Sequence, residues 1–213
     1  AILKLNPNIK SVFKKSSIIK GKYRTHKLTY IAGINNKETT YKENKAIFEL
    51  DVEKCYFSPR LSNERLRISK LIKKNESVLV MFSGIGAFNF VILKNSSPKE
   101  VFGIEINKMA HKYALENIKL NKIPENRISL FNGDVKKVLP KINKKFNRIL
   151  MPLPKESELF LDLALKKLKK NGTIHLYTFL EESKERLNKK ILRKYWVNLI
   201  KEKIKKSIKN SKI

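Results

Sequence analysis

Cysteine is nearly absent from this sequence, because Cys55 is the only one among 213 residues. A lone cysteine cannot form an internal disulfide, and it cannot supply the several thiolates of a cysteine-based zinc site. Long apolar runs are also missing, since no segment approaches the roughly 18 consecutive apolar residues of a membrane span. Residues 1–10 contain no apolar block followed by a cleavage site. These absences argue against a disulfide-rich secreted domain, and we expect a cytoplasmic protein without a membrane segment.

Acidic residues are few: 19 Asp and Glu stand against 48 Lys and Arg, which gives a formal net charge of +29. Charge this far from zero repels itself unless a polyanion or counterions offset it, so the composition favours nucleic acid as the partner. Two alternatives stay open, an anionic membrane surface and a codon bias, since Lys, Ile and Asn share A/T-rich codons. The 41% hydrophobic content is enough for a packed core.

The first third of the chain has the pattern of short strands. Residues 11–15, 22–32 and 45–51 carry alternating or β-branched apolar side chains, and glycine-containing segments at Gly21 and at residues 33–36 separate them. We therefore predict a small β-rich domain over residues 1–57.

Residues 58–213 alternate between helical and strand patterns, which predicts an α/β domain around a parallel sheet. A helix over residues 61–73 precedes the first of five strands. The strands are predicted at residues 77–82, 100–106, 127–131, 146–151 and 173–179, and the helices between them at residues 87–94, 108–120, 135–142 and 157–169. One more helix and a strand at about residues 196–204 are expected in the basic C-terminal stretch, whose function is open between an RNA contact and a solvated helix face.

Ligand-type residues follow successive strands of the predicted sheet. Gly84 and Gly86 follow the first strand, Glu105 ends the second, and Asp134 follows the third. The carboxyl ends of parallel strands meet at one edge, where open sheets bind ligands, and a carboxylate about 20 residues beyond the glycines commonly binds ribose hydroxyls. The glycines could instead form a plain tight turn, and Asp134 could be a helix N-cap. A full three-glycine pyrophosphate motif is absent, so we expect a nucleoside with a small charged tail, such as S-adenosylmethionine, as the cofactor.

Three segments resemble one known family. They are Cys55-Tyr-Phe-Ser-Pro-Arg-Leu-Ser-Asn-Glu-Arg-Leu-Arg-Ile68, Val78-Leu-Val-Met-Phe-Ser-Gly84 and Met151-Pro-Leu-Pro-Lys155. The chain resembles the archaeal and eukaryotic tRNA methyltransferases that modify the purine at tRNA position 37, beside the anticodon. The resemblance implies a class I (Rossmann-like) methyltransferase sheet over residues 58–213. Family members usually carry a further N-terminal module that binds the tRNA elbow, and this chain is expected to begin directly at the β-rich unit.

The resemblance implies two catalytic residues. Glu64 matches the carboxylate that accepts the guanine N1 proton, and Arg24 matches the arginine that offsets negative charge on O6. Tyr56, Arg60 and Pro152 are expected to contact the substrate base. The resemblance also implies a set of cofactor-binding residues, namely Ser58, Arg65, Phe82, Gly84, Glu105, Ile106, Asp134, Val135 and Pro152, with the Arg65 guanidinium directed at the methionine carboxylate.

Each of these residues also has a plainer interpretation. Glu64 could pair with Arg67 on its own helix, Arg24 could lie on the surface, and Tyr56 could be a core aromatic. The three histidines, His26, His111 and His175, show no ligand spacing, so no metal is expected and a structural role is favoured for them.

Two positions depart from the family pattern. Val80 stands where the family usually has Asp, and Pro152 stands where the plain guanine methyltransferases have Asn. The Pro-Leu-Pro version resembles the archaeal subgroup of the wyosine pathway, which also methylates a carbon of 4-demethylwyosine at position 37. We therefore favour methyl transfer to guanosine and to 4-demethylwyosine of tRNA, with phenylalanine tRNA as substrate and a monomeric enzyme. The alternatives are transfer of a 3-amino-3-carboxypropyl group and a non-catalytic tRNA-binding module.

Overall fold

The computed structural model describes residues 2–17, 21–154 and 157–179, together with Lys201, Glu202 and Lys205. Two antiparallel hairpins follow a one-turn helix, α1 (Ile2–Leu5). The first hairpin pairs β1 (Ser11–Lys15) with β2 (Leu28–Gly33), and the second pairs β3 (Glu38–Glu43) with β4 (Ala46–Asp51). The β-rich character of the first residues is thus confirmed.

The structure differs from the prediction at the turns of both hairpins. Residues 21–24 form a turn rather than the start of a strand, because Gly21 and Arg24 have positive φ angles of 72° and 53°. The sequence analysis missed β3. A two-residue turn with positive φ at Asn44 (44°) and Lys45 (64°) connects it to β4, which is the conformation that tight hairpins favour.

The central sheet is parallel, with the strand order β7-β6-β5-β8-β9. Its five strands are β5 (Ser77–Met81), β6 (Glu100–Glu105), β7 (Ile128–Asn132), β8 (Phe146–Met151) and β9 (Leu168–Leu176). Five further helices connect or flank the strands: α2 (Ser62–Leu71), α3 (Ala87–Asn95), α4 (Lys108–Leu120), α5 (Val135–Val138) and α6 (Leu161–Lys166). The predicted α/β class and the parallel sheet are confirmed. No helix in these described ranges is both long and apolar enough to cross a bilayer.

Strand β5 divides the hydrophobic core between the two faces of the sheet. Val78 and Val80 pack in one cluster, and Leu79 and Met81 pack in the other, as the alternation of a strand requires. All four side chains are fully buried. Val80, which departs from the expected family pattern, is therefore a core residue.

Two asparagines, Asn117 on α4 and its C-cap residue Asn121, dock the second hairpin onto the sheet domain. The amide of Asn121 accepts from the Ile47 N–H (2.8 Å) and donates to the Ile47 carbonyl (2.6 Å). Asn117 does the same with the N–H and carbonyl of Glu49, at 2.8 and 3.2 Å. Four residues along a helix and two along a strand both span about 6 Å, so the spacings match. The side-chain amides thus take the place of a neighbouring strand along β4.

A buried ion pair ties the same hairpin to α2. Glu43 ends β3 and binds the Arg65 guanidinium through both carboxylate oxygens, and the Arg65 side chain is only 2% exposed. Arg65 also lies over the Phe57 ring, with 5.1 Å between its guanidinium carbon and the ring centroid. A buried pair of this kind tolerates the loss of neither partner, because the remaining charge would be left without a counter-ion.

Several predicted boundaries were wrong. The helix predicted over residues 135–142 is α-helical only to Val138 and continues as a 3-10 turn, because Pro140 has no N–H to donate. The helix predicted over residues 157–169 ends at Lys166, and β9 starts at Leu168, five residues earlier than expected. Lys201 and Glu202 are helical, so the strand predicted at residues 196–204 is wrong at these two positions. The helix expected after residue 180 lies outside the described residues. The other positions of the strand predicted at residues 196–204 also lie outside them.

We expect Asn121→Asp to destabilise the fold by about 2 kcal/mol, because a carboxylate would accept from the Ile47 N–H but would face the Ile47 carbonyl without a donor. Urea denaturation followed by circular dichroism measures the change. Glu116→Gln is the matched control on an exposed part of the same helix. Equal stability of the Asn121→Asp variant and the wild type would contradict the docking role of Asn121.

Candidate active site

A cavity of about 380 Å³ lies at the carboxyl edge of the parallel sheet. Residues from four neighbouring strand ends line it: Gly84 after β5, Glu105 at the end of β6, Asp134 after β7 and Pro152 after β8. The strand order reverses between β5 and β8, and open α/β sheets bind ligands at such a reversal. The other lining residues are Gly21, Lys22, Tyr23, Arg24, Tyr56, Phe82, Ile106, Asn107, Ala110, Val135, Leu153 and Phe160.

The Glu105 carboxylate connects two of the loops that form the cavity. One oxygen accepts from the Gly84 N–H and the other from the Asn107 N–H, both at 2.7 Å. Burial raises the pKa of Glu105, while these backbone hydrogen bonds act in the opposite direction. The Ile106 N–H is a third backbone donor to this carboxylate. Because a carboxylate offers about four lone-pair sites, the group can still accept a hydrogen bond from a ligand hydroxyl.

The two glycines after β5 have different roles. Both have positive φ, 57° at Gly84 and 83° at Gly86. A Cβ added to Gly86 would lie 2.4 Å from the Phe90 ring, so packing requires this glycine. A Cβ on Gly84 would find its nearest atom, the Tyr56 carbonyl oxygen, at 3.8 Å. Gly84 therefore leaves open space where the backbone meets the cavity.

Asp134 caps a helix and lines the cavity at the same time. One carboxylate oxygen accepts from the Lys136 N–H (2.9 Å), which confirms the N-cap interpretation, and the other pairs with the Lys22 ammonium at 3.1 Å. The backbone hydrogen bond from Lys136, followed by the Lys22 ion pair, lowers the pKa of Asp134. The Lys22–Asp134 pair also holds the turn of residues 21–24 against the carboxyl edge of the sheet.

Arg24 and Tyr56 approach the cavity from the N-terminal part of the chain. Arg24 closes the turn with a hydrogen bond from its N–H to the Gly21 carbonyl (3.2 Å), and its left-handed φ of 53° is unusual for a residue with a side chain. Tyr56 is 41% exposed, which differs from the core interpretation. The cavity wall includes the rings of Phe82 and Phe160, whose centroids lie 4.9 Å apart in an edge-to-face arrangement. The cavity thus combines aromatic surface with two carboxylates and two cations.

Glu64 lies outside the cavity lining and binds two other side chains. Its carboxylate accepts two hydrogen bonds from the Arg67 guanidinium (2.7 and 2.8 Å) and one from the Tyr177 hydroxyl (2.7 Å). The hydrogen bond from Arg67 is the main reason why the pKa of Glu64 is lowered. The predicted alternative, a pair with Arg67 on the same helix, is confirmed. Tyr177 follows the last residue of β9, so the Glu64 carboxylate lies at the same edge of the sheet as the cavity.

Three other predicted site residues do not reach the cavity. The Arg65 guanidinium is engaged by Glu43 and by the Ser58 carbonyl (3.1 Å). The structure therefore places Arg65 in a buried pair rather than in the cavity, where a cofactor contact was expected. Arg60 is exposed in the short 3-10 turn that precedes α2, and the Ser58 side chain caps no backbone group of that turn.

A polar cluster lies near Glu64 and is centred on the buried side chain of Arg148. Arg148 binds Glu76 through two nitrogens (2.9 and 3.1 Å) and contacts the His175 ring at 2.7 Å. Burial and the positive charge of Arg148 lower the pKa of His175 to about 4. His175 is therefore a neutral structural residue at pH 7. The described residues contain no group of three or more His, Cys, Asp or Glu side chains that could hold a metal ion.

Eight residues of this region were not predicted as site residues: Tyr177 beside Glu64 and, in the cavity lining, Gly21, Lys22, Tyr23, Asn107, Ala110, Leu153 and Phe160. Lys22 and Tyr177 reach it through contacts 112 and 113 residues apart in the chain, for which the sequence holds no signal. Asn107 accepts from the N–H groups of Met109 and Ala110 as the N-cap of α4, and its position two residues after Glu105 could have indicated this. Phe160 belongs to no sequence motif that could have identified it.

The comparisons with known proteins agree with this geometry. Residues 39–209 match the TRM5/TYW2 methyltransferase domain family, and the chain belongs to this family. A curated relative, tRNA (guanine(37)-N(1))-methyltransferase Trm5b of Pyrococcus abyssi, is 42% identical over 179 residues, covering 84% of this chain and 52% of the relative. The tRNA (guanine(37)-N(1))/4-demethylwyosine(37)-methyltransferase Taw22 of Nanoarchaeum equitans is 32% identical, covering 85% and 76%. The chain thus spans about half the length of the Pyrococcus relative.

Solved structures show the same fold. The crystal structure of Trm5b from Pyrococcus abyssi matches with a TM-score of 0.81 at 38% identity, covering 99% of this chain and 58% of that one. The Methanocaldococcus jannaschii protein TYW2, solved in complex with AdoMet, matches with a TM-score of 0.70 at 31% identity, covering 84% and 77%.

We expect the stability of the protein to fall as the pH decreases from about 6.5 to about 4, partly because of His175. In this range the unfolded chain protonates the histidine, while the folded protein keeps it neutral, so stability rises with pH. His175→Gln keeps an acceptor for Arg148 and removes the titrating group. Urea denaturation at several pH values should give a shallower dependence for this variant. An unchanged slope would contradict the lowered pKa of His175.

Proposed function

We propose that this chain is the catalytic part of a tRNA methyltransferase that transfers a methyl group to N1 of guanosine at tRNA position 37, and also to C7 of 4-demethylwyosine at that position. The observation that carries the proposal is the meeting of Glu105, Asp134 and Arg24 around one cavity in a member of this family. The names of the two curated relatives support both substrates.

The cavity suits S-adenosylmethionine. Its volume lies within the usual range for small-molecule sites, about 300–1,000 Å³. Glu105 can accept hydrogen bonds from the ribose hydroxyls, the space at Gly84 admits the ligand close to the backbone, and Phe82 offers aromatic surface. Ile106 and Val135 add apolar contacts, and Asp134 offers a polar edge for the adenine.

When bound, S-adenosylmethionine supplies the methyl group on an activated sulfonium, and the electron pair of the breaking carbon–sulfur bond stays on sulfur. Arg24 lines the cavity and offsets the negative charge that develops on O6 as N1 loses its proton. Tyr56 and Pro152 shape the place for the flipped base, and Arg60 contacts the RNA from its exposed turn. Pro152 has no side-chain amide, so this position contributes no side-chain hydrogen bond to the base.

Glu64 accepts the N1 proton. Its carboxylate lies at the carboxyl edge of the sheet and stays ionised at neutral pH, because Arg67 and Tyr177 lower its pKa. An ionised carboxylate is the form that a general base requires.

The net charge of +29 supports RNA as the substrate. Lysines that neutralise phosphates release bound counterions, so tRNA binding should weaken steeply with salt. We propose a cytoplasmic monomer that acts on phenylalanine tRNA at the anticodon loop.

Mass spectrometry of the position-37 nucleoside tests the proposal. The protein and S-adenosylmethionine are incubated with unmodified phenylalanine tRNA, and separately with tRNA that carries 4-demethylwyosine. We expect one added methyl group on each nucleoside. Gain of an aminocarboxypropyl group would assign the chain to the other transfer reaction, and tRNA binding without any product would indicate a binding module.

Glu64→Gln is the informative variant in this assay, because it keeps the shape of the side chain and removes the base. Under single-turnover conditions we expect the rate of guanosine methylation to fall at least about 10²-fold. Glu116→Gln, an exposed change of the same chemistry on α4, is the control. Turnover near the wild-type rate in the Glu64→Gln protein would remove Glu64 from the mechanism.

A further inference from the structure

The contacts of Glu64 pose a chemical problem for the proposed base. Arg67 donates from Nε to one carboxylate oxygen, Oε2, and from Nη2 to the other, Oε1. Tyr177 donates its hydroxyl proton to Oε1 as well. An oxygen that is engaged by a guanidinium is a poor proton acceptor, because protonation would remove the charge that the guanidinium binds.

Arg67 and Tyr177 hold Glu64 in different ways. The Arg67 side chain is 56% exposed, whereas that of Glu64 is 25% exposed. Tyr177 is partly buried and its ring lies against Phe88, with centroids 6.0 Å apart. The tyrosine is therefore the fixed contact, and the arginine is the contact that solvent and ligands can reach.

A phosphodiester group can replace the carboxylate on Arg67. The guanidinium fork fits carboxylates and phosphates equally well in geometry, and the substrate of a tRNA enzyme brings many phosphates. An exposed ion pair between neighbours on one helix is weak. If Arg67 changes partner, Oε2 of Glu64 becomes free, while the Tyr177 hydrogen bond still holds Oε1.

We propose that Arg67 restrains Glu64 in the free protein and releases it when a phosphate of the bound tRNA takes its place, so that substrate binding frees the general base. This inference rests on the proposed function. Arg67 and Tyr177 are positioning residues, and Oε2 is the atom that receives the N1 proton. The released guanidinium stays ion-paired with the RNA.

The charged and titratable groups around Glu64 in the described part of the chain are Arg67 on its own helix, and Tyr177 and His175 from the segment of β9 and beyond. Burial and the neighbouring carboxylate raise the pKa of Tyr177, so it remains a donor. His175 stays neutral above about pH 4. Because RNA phosphates also raise the pKa of a nearby carboxylate by repulsion, the change at Arg67 is reported by a rise in the pKa of Glu64 that is larger in the wild type than in Arg67→Met.

Carbon-13 NMR of glutamate-labelled protein measures this titration directly. The Glu64 signal is assigned with Glu64→Gln, and the titration is run with and without an unmodified tRNA transcript. We expect the tRNA to move the titration of Glu64 to higher pH in the wild type. In Arg67→Met we expect the titration to start at higher pH and to move less when tRNA is added.

The salt dependence of tRNA binding tests whether Arg67 binds a phosphate of the RNA. Arg67→Met should lower the slope of log Kd against log salt concentration by about 1, because one phosphate contact is lost. Arg127→Met is the matched control, since Arg127 precedes β7 at the opposite edge of the sheet and binds the Pro98 carbonyl. Its slope should equal that of the wild type.

Tyr177→Phe tests the contact of Tyr177 with Glu64 separately from the contact of Arg67. We expect about a 10-fold slower single-turnover methylation with an unchanged salt slope, because Glu64 loses its fixed contact and the RNA loses none. The proposal would be overturned if Arg67→Met had the salt slope of the wild type and tRNA did not shift the titration of Glu64. Failure of the proposed function would look different, since the wild type would then form no methylated nucleoside whatever the binding and titration data show.

Discussion

The parallel pairing of β5 with β6 on one side and β8 on the other determines where the chemistry of this protein can occur. Parallel strands end at a common edge, and the reversal of strand order beside β5 opens a crevice there. Every residue of β5 is buried, so the central strand cannot shift without disrupting both halves of the core. Glu105 then joins the loops that follow β5 and β6 by accepting one backbone N–H from each.

The N-terminal hairpins complete the site from the other direction. The amides of Asn117 and Asn121 and the buried Glu43–Arg65 pair lock the second hairpin to α4 and α2, and the Lys22–Asp134 contact brings the turn that carries Arg24 to the sheet edge. These contacts engage several polar side chains that could otherwise have bound a ligand. Arg65 is the clearest case, because Glu43 and the Ser58 carbonyl engage the guanidinium for which a cofactor contact was predicted.

Much of the fold could be predicted from the sequence, because long apolar strands alternate with helical patterns in residues 77–176. Gly84, Glu105 and Asp134 could be placed in the crevice for the same reason, since residues at successive strand ends must share an edge. Contacts between distant segments could not be predicted: the pairs of Lys22 with Asp134 and of Glu64 with Tyr177 join residues more than 100 positions apart. Strand β3 was missed because its sequence, Glu-Thr-Thr-Tyr-Lys-Glu, is almost wholly polar, and its pairing depends on the turn at Asn44 and Lys45.

The crevice beside Glu105 is the proposed cofactor site, and calorimetric titration with S-adenosylhomocysteine tests this assignment most directly. The wild type should bind one molecule per chain. Glu105→Gln should bind about 10-fold more weakly, because a carboxamide has a single acceptor oxygen in place of two, while the surface variant Glu116→Gln should match the wild type. Equal affinity in a folded Glu105→Gln protein, or no binding by the wild type, would contradict the assignment of this cavity.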